Sequence, residues 1–239
     1  MISVIIPAHN EKENLLQLLP VLFSLAASHD VEVIVCLSRD TNDNSDKING
    51  FNQLRHVSCN KKGRAVQMNG GAQKAKGDIL VFLHADVKPP ENFFRDIKQT
   101  IDQGNDAGFF SYKFDKENFF LNLNASFTTK DGIFTGGGDQ CLFIKKETFD
   151  ELGGFNEKQV LMEDFEFFKR MKRKGVSYKI VNNDLIVSSR KYDNNSYLRV
   201  NLTNFLLVIL FKLGYKAEKL KKLHNSLLRL PYQNNIQKV

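Results

Sequence analysis

The chain has 239 residues, of which 42% are hydrophobic and 26% charged, and this composition excludes a disordered polypeptide and fits a globular protein. Its three cysteines, Cys36, Cys59 and Cys141, lack the spacing of a disulfide framework or a structural zinc site, which favours a reducing, cytoplasmic location. No basic and then apolar leader precedes the first apolar run, so we expect no secretory signal.

The net charge of +7 is concentrated at one end of the chain. Residues 205–239 carry seven basic residues and one acid, so they account for +6 of the total. The nearly neutral remainder argues against a nucleic-acid-binding surface spread over the fold. The basic segment favours a local anionic partner such as lipid headgroups.

The first hundred residues alternate between short β-branched runs, typical of buried strands, and amphipathic segments, typical of helices. Asn10 is the predicted N-cap of the first helix, and Pro89-Pro90 opens the third. This order predicts an α/β fold with an open, mostly parallel, Rossmann-like sheet flanked by helices. The other predicted elements here are strands Ile2–Pro7, Val31–Cys36, Arg55–Ser58 and Asp78–Leu83 and the helix Arg64–Lys76.

The second half is less regular, and it ends in two predicted helices at about 195–213 and 216–229. We find no repeat or linker, so we expect one domain over residues 1–192 with a C-terminal amphipathic helical extension over 193–239. The preceding predicted elements are strands Ala107–Phe114, Gln140–Lys145, Val176–Val181 and Leu185–Ser189 and helices Glu117–Thr129, Lys146–Leu152 and Leu161–Lys174.

Four groups of residues fall where the ligand-binding loops of such a sheet are expected. They are Gly63-Arg64 with Asn69, His84-Ala-Asp86, Gly136–Gln140 and Met162-Glu163-Asp164. A carboxylate at a strand end can hold a divalent cation that bridges phosphates, and an arginine at a helix start can bind a phosphate. Each group alone fits a cap, a turn or a surface charge equally well.

In this order, and together with ISVIIPAHNEKENL at the start, the groups resemble the family 2 glycosyltransferases of the GT-A fold over about residues 2–190. The sequence is most similar to a bacterial branch with Leu-His-Ala-Asp in place of Asp-x-Asp, followed by Gly-Asp-Gln and Met-Glu-Asp. Ser188–Tyr192 matches a Ser-x-Arg-Arg-aromatic stretch of that branch. The resemblance implies transfer of a sugar, of the hexosyl type, from a nucleoside-diphosphate donor to a hydroxyl acceptor.

The resemblance also implies a donor site. His84 and Asp86 would ligate Mg²⁺ or Mn²⁺, and Arg190 would neutralise the leaving diphosphate. Arg64 would face the nucleotide or its diphosphate. The full set of implied donor-binding residues is Pro7, Ala8 and Glu11 in the loop after the first strand, with Arg64, Asp86 and Arg190.

On the acceptor side, Asp164 matches the catalytic base of the family, and Glu163 lies beside it. The resemblance implies a single displacement that inverts the anomeric centre. A lipid or lipid-linked hydroxyl is one candidate acceptor. The floor of this side would be formed by Gly137, Gly138, Asp139 and Gln140, within the run that begins at Gly136.

Two departures from the family pattern bear on the donor. The usual base-binding aspartate after the second strand is missing, and the nearest acids are Asp40 and Asp43. His84 supplies one negative charge fewer than the aspartate that it replaces, which predicts weaker metal binding unless the donor phosphates supply most ligands.

Two alternative functions stay open at this point. A sugar-phosphate nucleotidyltransferase usually has a glycine-rich loop and a lysine after its first strand, and the segment 7–11 lacks both. A catalytically inactive nucleotide-sugar-binding module is compatible with the altered metal motif and the missing base-binding aspartate.

The segment Phe205–Phe211 is apolar throughout but too short to span a bilayer, which takes about 20 residues. It either packs against the body or lies in a membrane interface with four following lysines on the headgroups. We favour peripheral association of residues 205–229 with the inner face of the plasma membrane. The four lysines are Lys216, Lys219, Lys221 and Lys222.

Overall fold

The β-branched runs form one twisted sheet in which six strands point the same way. This computed structural model describes residues 1–132 and 135–229. Within them the strand order is β3-β2-β1-β4-β7-β6-β8-β5, and only β5 and β7 run against the others. The strands are β1 Ile2–Ala8, β2 Val31–Leu37, β3 Leu54–Ser58, β4 Ile79–Phe82, β5 Val87–Lys88, β6 Ala107–Phe114, β7 Phe143–Lys145 and β8 Tyr178–Val187.

Helices cover both faces of the sheet, because alternate strand residues are apolar on either side. Val4 and Ile6 pack with α1 and α3, whereas Ile5 packs with α2, α5 and α6. The prediction of an α/β fold with a mostly parallel sheet is therefore confirmed. The helices are α1 Lys12–Leu25, α2 Arg64–Lys74, α3 Phe93–Asp102, α4 Phe119–Ser126, α5 Lys146–Glu151, α6 Glu163–Lys174, α7 Tyr197–Lys212 and α8 Ala217–Leu227.

The topology gathers distant segments at the carboxyl ends of β1, β2, β4 and β8. The strand order reverses between β1 and β4, which is where open α/β sheets form a ligand crevice. Because β7 is antiparallel to β4 and β6, the segment that precedes it, 135–142, enters at this same edge. The helices α2 and α6 also begin here.

The start of α1 differs from the prediction. Asn10 does not cap the helix; it has a left-handed φ of 55°, and its side chain accepts a hydrogen bond from the Asn42 amide. The first helical amide, that of Lys12, donates instead to Asp43 at 2.7 Å. A residue 31 positions along the chain thus supplies the acceptor, which no local capping pattern can indicate.

Three predicted strands also differ from the structure. The strands predicted at Val176–Val181 and Leu185–Ser189 are one strand, β8, which continues through the polar residues Asn182 to Asp184. A register shift at Phe110/Tyr112 of β6 accommodates this stretch. The strand predicted from Gln140 begins only at Phe143, because Gly138–Gln140 forms a short 3-10 turn.

The C-terminal helices lie on the N-terminal part of α6. Leu207 and Val208 of α7 and Leu220 of α8 form a small buried cluster with Met162. The other side of α7 is exposed. One side of the apolar segment 205–211 therefore packs against protein, and the other side faces solvent. None of the described helices is long and apolar enough to cross a bilayer. The division at residue 192 stays a prediction, and positions 230–239 of the extension lie outside the described residues.

Gly71 allows α2 to lie directly against the sheet. A Cβ at this position would meet Ile5 Cγ2 at 2.5 Å and Cys36 Sγ at 2.6 Å, whereas one at Gly70 would meet only Cys59 Sγ, at 3.3 Å. The pair Gly70-Gly71, which weakens α2 by helix propensity, therefore has a packing reason at its second position.

We expect Gly71→Ala to lower the free energy of unfolding by about 1–3 kcal/mol, because the added methyl group overpacks the contact with β1 and β2. Gly70→Ala is the matched control, since it gains the same helix propensity of about 1 kcal/mol without the clash. Urea denaturation of both variants measures the difference. Equal stability of the two variants would contradict the packing argument.

Candidate active site

Arg64, the first residue of α2, connects three segments at the carboxyl edge of the sheet. Its Nε donates to the Glu163 carboxylate, and its Nη2 lies 3.1 Å from Asp164 Oδ2. Its Nη1 lies 3.3 Å from Nε2 of His84, which follows β4. Burial alone would lower the pKa of Arg64, but the charges of Glu163 and Asp164 outweigh it and raise that pKa.

The pKa values of the two neighbouring carboxylates at the start of α6 are shifted in opposite directions. Burial, with the charge of Glu163 in addition, raises the pKa of Asp164 to about 6 against the opposing effect of Arg64. Burial also acts on Glu163, but its direct contact with Arg64 prevails and lowers the pKa of Glu163. At neutral pH both are ionised, and Asp164 has the pKa expected of a general base.

A tight backbone turn brings Asp164 next to the loop after β4. A Cβ on Gly138 would lie 2.7 Å from Asp164 Oδ2 and 2.9 Å from His84 Nε2, so both side chains contact the turn. A side chain at this position would displace Asp164 or His84. Met162, which precedes α6, has a left-handed φ of 61°, a conformation that is uncommon for a methionine and is found at functional sites.

A second charged pair lies on the other side of His84. Asp139 Oδ1 is 3.7 Å from His84 Nδ1, and Asp139 Oδ2 accepts a hydrogen bond of 3.3 Å from Lys191 Nζ. Burial opposes both charges, yet Lys191 and His84 lower the pKa of Asp139, and Asp139 raises the pKa of Lys191. Lys191 also lies over the rings of Phe114 and Tyr192.

Arg190 forms a third ionic contact, between the loops after β1 and β4. Its Nη2 is 3.0 Å from Asp86 Oδ2 and 3.5 Å from Glu11 Oε1. Because Arg190 and Lys191 follow β8, the carboxyl end of a fourth strand contributes to the same edge. All three cations of the site are thus paired with carboxylates that come from other segments.

The structure brings together most of the predicted residues. His84, Asp139, Asp164 and Gly138 meet around Arg64, and Arg190 contacts Asp86 and Glu11 as described above. Gln140 is buried and accepts a hydrogen bond from the Gly136 amide, and so closes the turn. Gly137 begins this turn, and its carbonyl accepts from the Gln140 amide.

Pro7 and Ala8 were predicted in the wrong place. Both belong to strand β1 and are buried, so neither is in the loop after it. Proline is tolerated because pairing of β1 with β4 ends at Ile5, before Pro7 would need its missing N–H. Ala8 contributes its carbonyl, which accepts from Gln67 Nε2 at 2.7 Å and from the Ser38 amide at 3.0 Å.

Sequence reasoning missed two side chains, the buried Gln67 and the half-buried Lys191. Gln67 of α2 donates to the carbonyls of Ala8 and Cys36, both at 2.7 Å, and ties the ends of β1 and β2 together. Lys191 occupies the second arginine position of the Ser-x-Arg-Arg-aromatic match, and that match was the only signal for it. No sequence pattern marked Gln67.

A cavity of about 610 Å³ lies beyond the ends of β2 and β3. Its lining includes Ser38, Arg39, Asp46 and Asn60. Thr41 also lines it, and its Oγ1 is buried without a hydrogen-bond partner among the described residues. Such a polar cavity has room for a heterocyclic base, and its polar groups can bind the edge of that base.

The nearest acids to β2 in the sequence do not line this cavity. Asp40 pairs with Lys62, and Asp43 accepts from Lys12 and Ser45. Burial opposes ionisation of Asp43, but its hydrogen bonds lower its pKa. Asp46 is the acid at the cavity.

The potential ligand side chains suit a divalent metal that takes few ligands from the protein. Within residues 1–132 and 135–229, no three potential ligand side chains are grouped around one point. The Asp86 carboxylate faces Arg190, whereas the two nitrogens of His84 face Arg64 and Asp139. Mg²⁺ commonly binds through one or two carboxylates and completes its shell with substrate phosphates and water, which fits Asp86. Ligation by His84 stays a prediction.

The opposite pKa directions of Glu163 and Asp164 predict opposite stability effects. At pH 7 we expect Asp164→Asn to raise the free energy of unfolding by about 1–3 kcal/mol, because it removes a buried charge. The folded-state pKa of Asp164 lies above its ordinary value, so the protonated carboxyl group stabilises the wild type at low pH. The wild type loses that stabilisation as the pH rises from about 4 to about 6. The gain should therefore nearly vanish at pH 4.

Glu163→Gln is the matched variant. The lowered pKa of Glu163 stabilises the fold above its unfolded pKa of about 4.3, and this stability is lost as the pH falls. We expect Glu163→Gln to be less stable than the wild type at pH 7. Urea denaturation at pH 4 and pH 7 tests both variants, and shifts of the same sign at pH 7 would contradict the assignment.

Comparisons with known proteins identify the family of the chain. The chain matches the model described as Glycosyl transferase family 2 over residues 3–176. No curated protein matches. The Leu-His-Ala-Asp branch within the family stays a prediction.

Solved structures of glycosyltransferases share the GT-A fold. S. aureus TarS 1-349 in complex with UDP-GlcNAc has a TM-score of 0.63 and 15% identity, over 95% of this chain and 71% of that one. The mannosyltransferase PcManGT from Pyrobaculum calidifontis, in complex with GDP-Man and Mn²⁺, has a TM-score of 0.64 and 16% identity, over 94% and 68%. The match of the family model spans well over half of the sequence, and the chain belongs to glycosyl transferase family 2.

Proposed function

We propose that the protein is an inverting hexosyltransferase that moves a sugar from a nucleoside-diphosphate donor to a hydroxyl acceptor. The observation that carries this proposal is the position of Arg64 between Asp164 and the loop after β4. Arg64 contacts Asp164, which is 100 residues away in sequence, and His84 of that loop. A base with a pKa of about 6 then lies beside the cations that a diphosphate requires. Family membership supports the reaction class.

We place the donor along the carboxyl edge. The nucleobase would occupy the cavity beyond β2 and β3, with Asp46 and Arg39 available to bind its edge. The diphosphate would then lie between Arg64 and Arg190, near Asp86. The structural relatives that bind UDP-GlcNAc and GDP-Man have different bases, so uracil and guanine are both candidates for this cavity.

A divalent cation, Mg²⁺ or Mn²⁺, would be held by Asp86, with His84 as the second candidate. When bound, such a cation neutralises charge on phosphate oxygens. The complex of PcManGT with Mn²⁺ supports this part of the proposal. Arg64 and Arg190 would stabilise the rest of the charge that develops on the leaving diphosphate.

Asp164 would remove the proton from the acceptor hydroxyl as that oxygen attacks the anomeric carbon in line with the departing diphosphate. Its pKa of about 6 keeps the carboxylate ionised at pH 7 while it stays basic enough to accept the proton. The turn Gly136–Gln140 would form the floor on which the acceptor lies. We propose a lipid or lipid-linked acceptor, reached from the cytoplasmic face of a membrane, because the helices next to this turn expose apolar side chains.

Asp164→Asn should reduce sugar transfer by about 100-fold or more, because general-base catalysis contributes about that much. Donor binding should survive and become tighter, because Asp164 no longer competes with the diphosphate for Arg64. Nucleoside-diphosphate release from UDP-GlcNAc and GDP-Man, with a lipid extract as the acceptor source, measures turnover, and calorimetry measures donor binding. Glu166→Gln is the control, since Glu166 lies on the same helix but pairs with Arg170.

Unchanged turnover of Asp164→Asn would remove Asp164 from the role of base. Donor binding by the wild type without any turnover would favour the catalytically inactive binding module. Incorporation of the nucleotide itself into a sugar phosphate would instead favour a nucleotidyltransferase.

Nucleoside diphosphates should raise the thermal unfolding temperature, and Mn²⁺ should increase that shift, because a ligand that binds the folded state stabilises it by mass action. A panel of UDP, GDP, ADP and CDP identifies the base. Asp86→Asn should abolish the Mn²⁺-dependent part of the shift and leave the metal-free part. Asp102→Asn, at an exposed acid on α3, is the control. A full Mn²⁺ effect in Asp86→Asn would exclude Asp86 as the ligand.

A further inference from the structure

The most exposed large apolar side chains of the described residues lie in one region. Of the described residues, the five large hydrophobic ones that are most exposed, at 64% to 76%, all belong to or directly follow α4 and α7. A monomeric protein seldom exposes so many together unless the surface binds something. The five are Phe119, Phe127, Leu198, Leu202 and Leu213.

These side chains form one surface, because α4 and α7 touch each other. Asn124 of α4 donates to Asn201 of α7 at 2.7 Å and accepts from Tyr197 at 2.7 Å. The rings of Phe120 and Tyr197 are 4.9 Å apart. We call the exposed apolar residues on both sides of this contact the α4–α7 apolar surface.

The helix α7 is apolar on two sides. Leu207 and Val208 face Met162 and Leu220 in a buried cluster, while Leu198 and Leu202, four residues apart, are exposed. A helix that is apolar all round is expected to be buried on every side. In the described structure only one side of α7 is covered by protein, and the other side calls for an apolar partner.

The α4–α7 apolar surface ends in a basic turn. Exposed Leu213 and Tyr215 lie between exposed Lys212 and Lys216, where α7 ends and α8 begins. Exposed lysines continue on α8 at 219, 221 and 222, with Glu218 as the single acid. Apolar side chains bordered by lysines match an anionic lipid surface, whose headgroups attract the lysines while its acyl chains accept the apolar groups.

Both helices are connected to the acceptor side of the candidate site. The carbonyl of Thr128, just after α4, accepts from Gln140 in the Gly136–Gln140 turn. Met162, which packs against α7, directly precedes Glu163 and Asp164. A bilayer under α4 and α7 would therefore lie next to the place where the acceptor enters.

We propose that the α4–α7 apolar surface, with the basic turn 212–216, binds to the surface of an anionic bilayer and lies flat on it. Such binding would bring a lipid-linked acceptor to Asp164, and this part of the proposal rests on the proposed function. The proposed binding extends the membrane contact predicted for residues 205–229 to α4 and to the first half of α7. Binding itself needs no donor and no turnover.

Co-sedimentation of the full chain with vesicles tests the proposal. Vesicles of phosphatidylcholine alone and of phosphatidylcholine with phosphatidylglycerol are compared at about 0.01 M and about 1 M NaCl, where the Debye length falls from about 30 Å to about 3 Å. We expect binding to the anionic vesicles at low salt and a reduction of about tenfold or more at high salt.

Two variants test the surface itself. Phe119→Ser/Leu202→Ser should weaken binding to anionic vesicles by about tenfold or more, because both side chains are exposed and would enter the acyl region. Lys212→Glu/Lys216→Glu should weaken it at low salt by a similar factor. Leu16→Ser, at an exposed leucine on α1, is the matched control and should bind as the wild type does. Circular dichroism verifies that each variant is folded.

Three outcomes would overturn the proposal. They are absence of wild-type binding to anionic vesicles at low salt, equal binding to both kinds of vesicle, and wild-type binding by the folded Phe119→Ser/Leu202→Ser variant. Self-association of the wild type that this variant abolishes, without vesicle binding, would identify the surface as a protein interface instead. Asp164→Asn should bind vesicles normally, so a failure of the proposed catalysis is distinguishable from a failure of this inference.

Discussion

The candidate site depends on the contacts of one guanidinium group. Arg64 bridges the carboxylates that begin α6 and the imidazole that follows β4, and without it Glu163 and Asp164 would be two adjacent buried anions. Such a pair is destabilising unless a cation compensates it. The arrangement leaves Glu163 satisfied by the closer contact and Asp164 with a raised pKa, so two neighbouring acids have different properties.

The proposed reaction requires these contacts to change. Arg64, Arg190 and Lys191 each pair with carboxylates in the described structure. A donor diphosphate would compete for the same cations. As the diphosphate attracted Arg64, the hold of that cation on Asp164 would weaken, and Asp164 would become more basic when the donor is in place. In the proposed reaction, donor binding and activation of the base would then be coupled through a single side chain.

The sequence predicted the fold well because its signals are local. The β-branched runs and amphipathic segments define nearly every strand and helix, and the four parallel strands of the first hundred residues follow from their alternation. The failures are non-local. Asp43 caps α1 from 31 residues away, and β8 continues through the polar Asn182–Asp184 because the register shift in β6 accommodates them. Neither contact leaves a pattern in the neighbouring sequence.

The sequence indicated which polar residues lie at strand ends and helix starts, but it did not indicate which of them contact each other. Nothing in the sequence indicates that Arg64 pairs with Asp164 or that Gln67 ties β1 to β2, because these contacts arise only when the sheet brings its carboxyl ends together. The same holds for α7. Its apolar run suggested either a buried or an interfacial helix, and only the packing of Leu207 against Met162 reveals that one side is buried while Leu202 on the other is exposed. Composition alone cannot separate two faces of a helix when both are apolar.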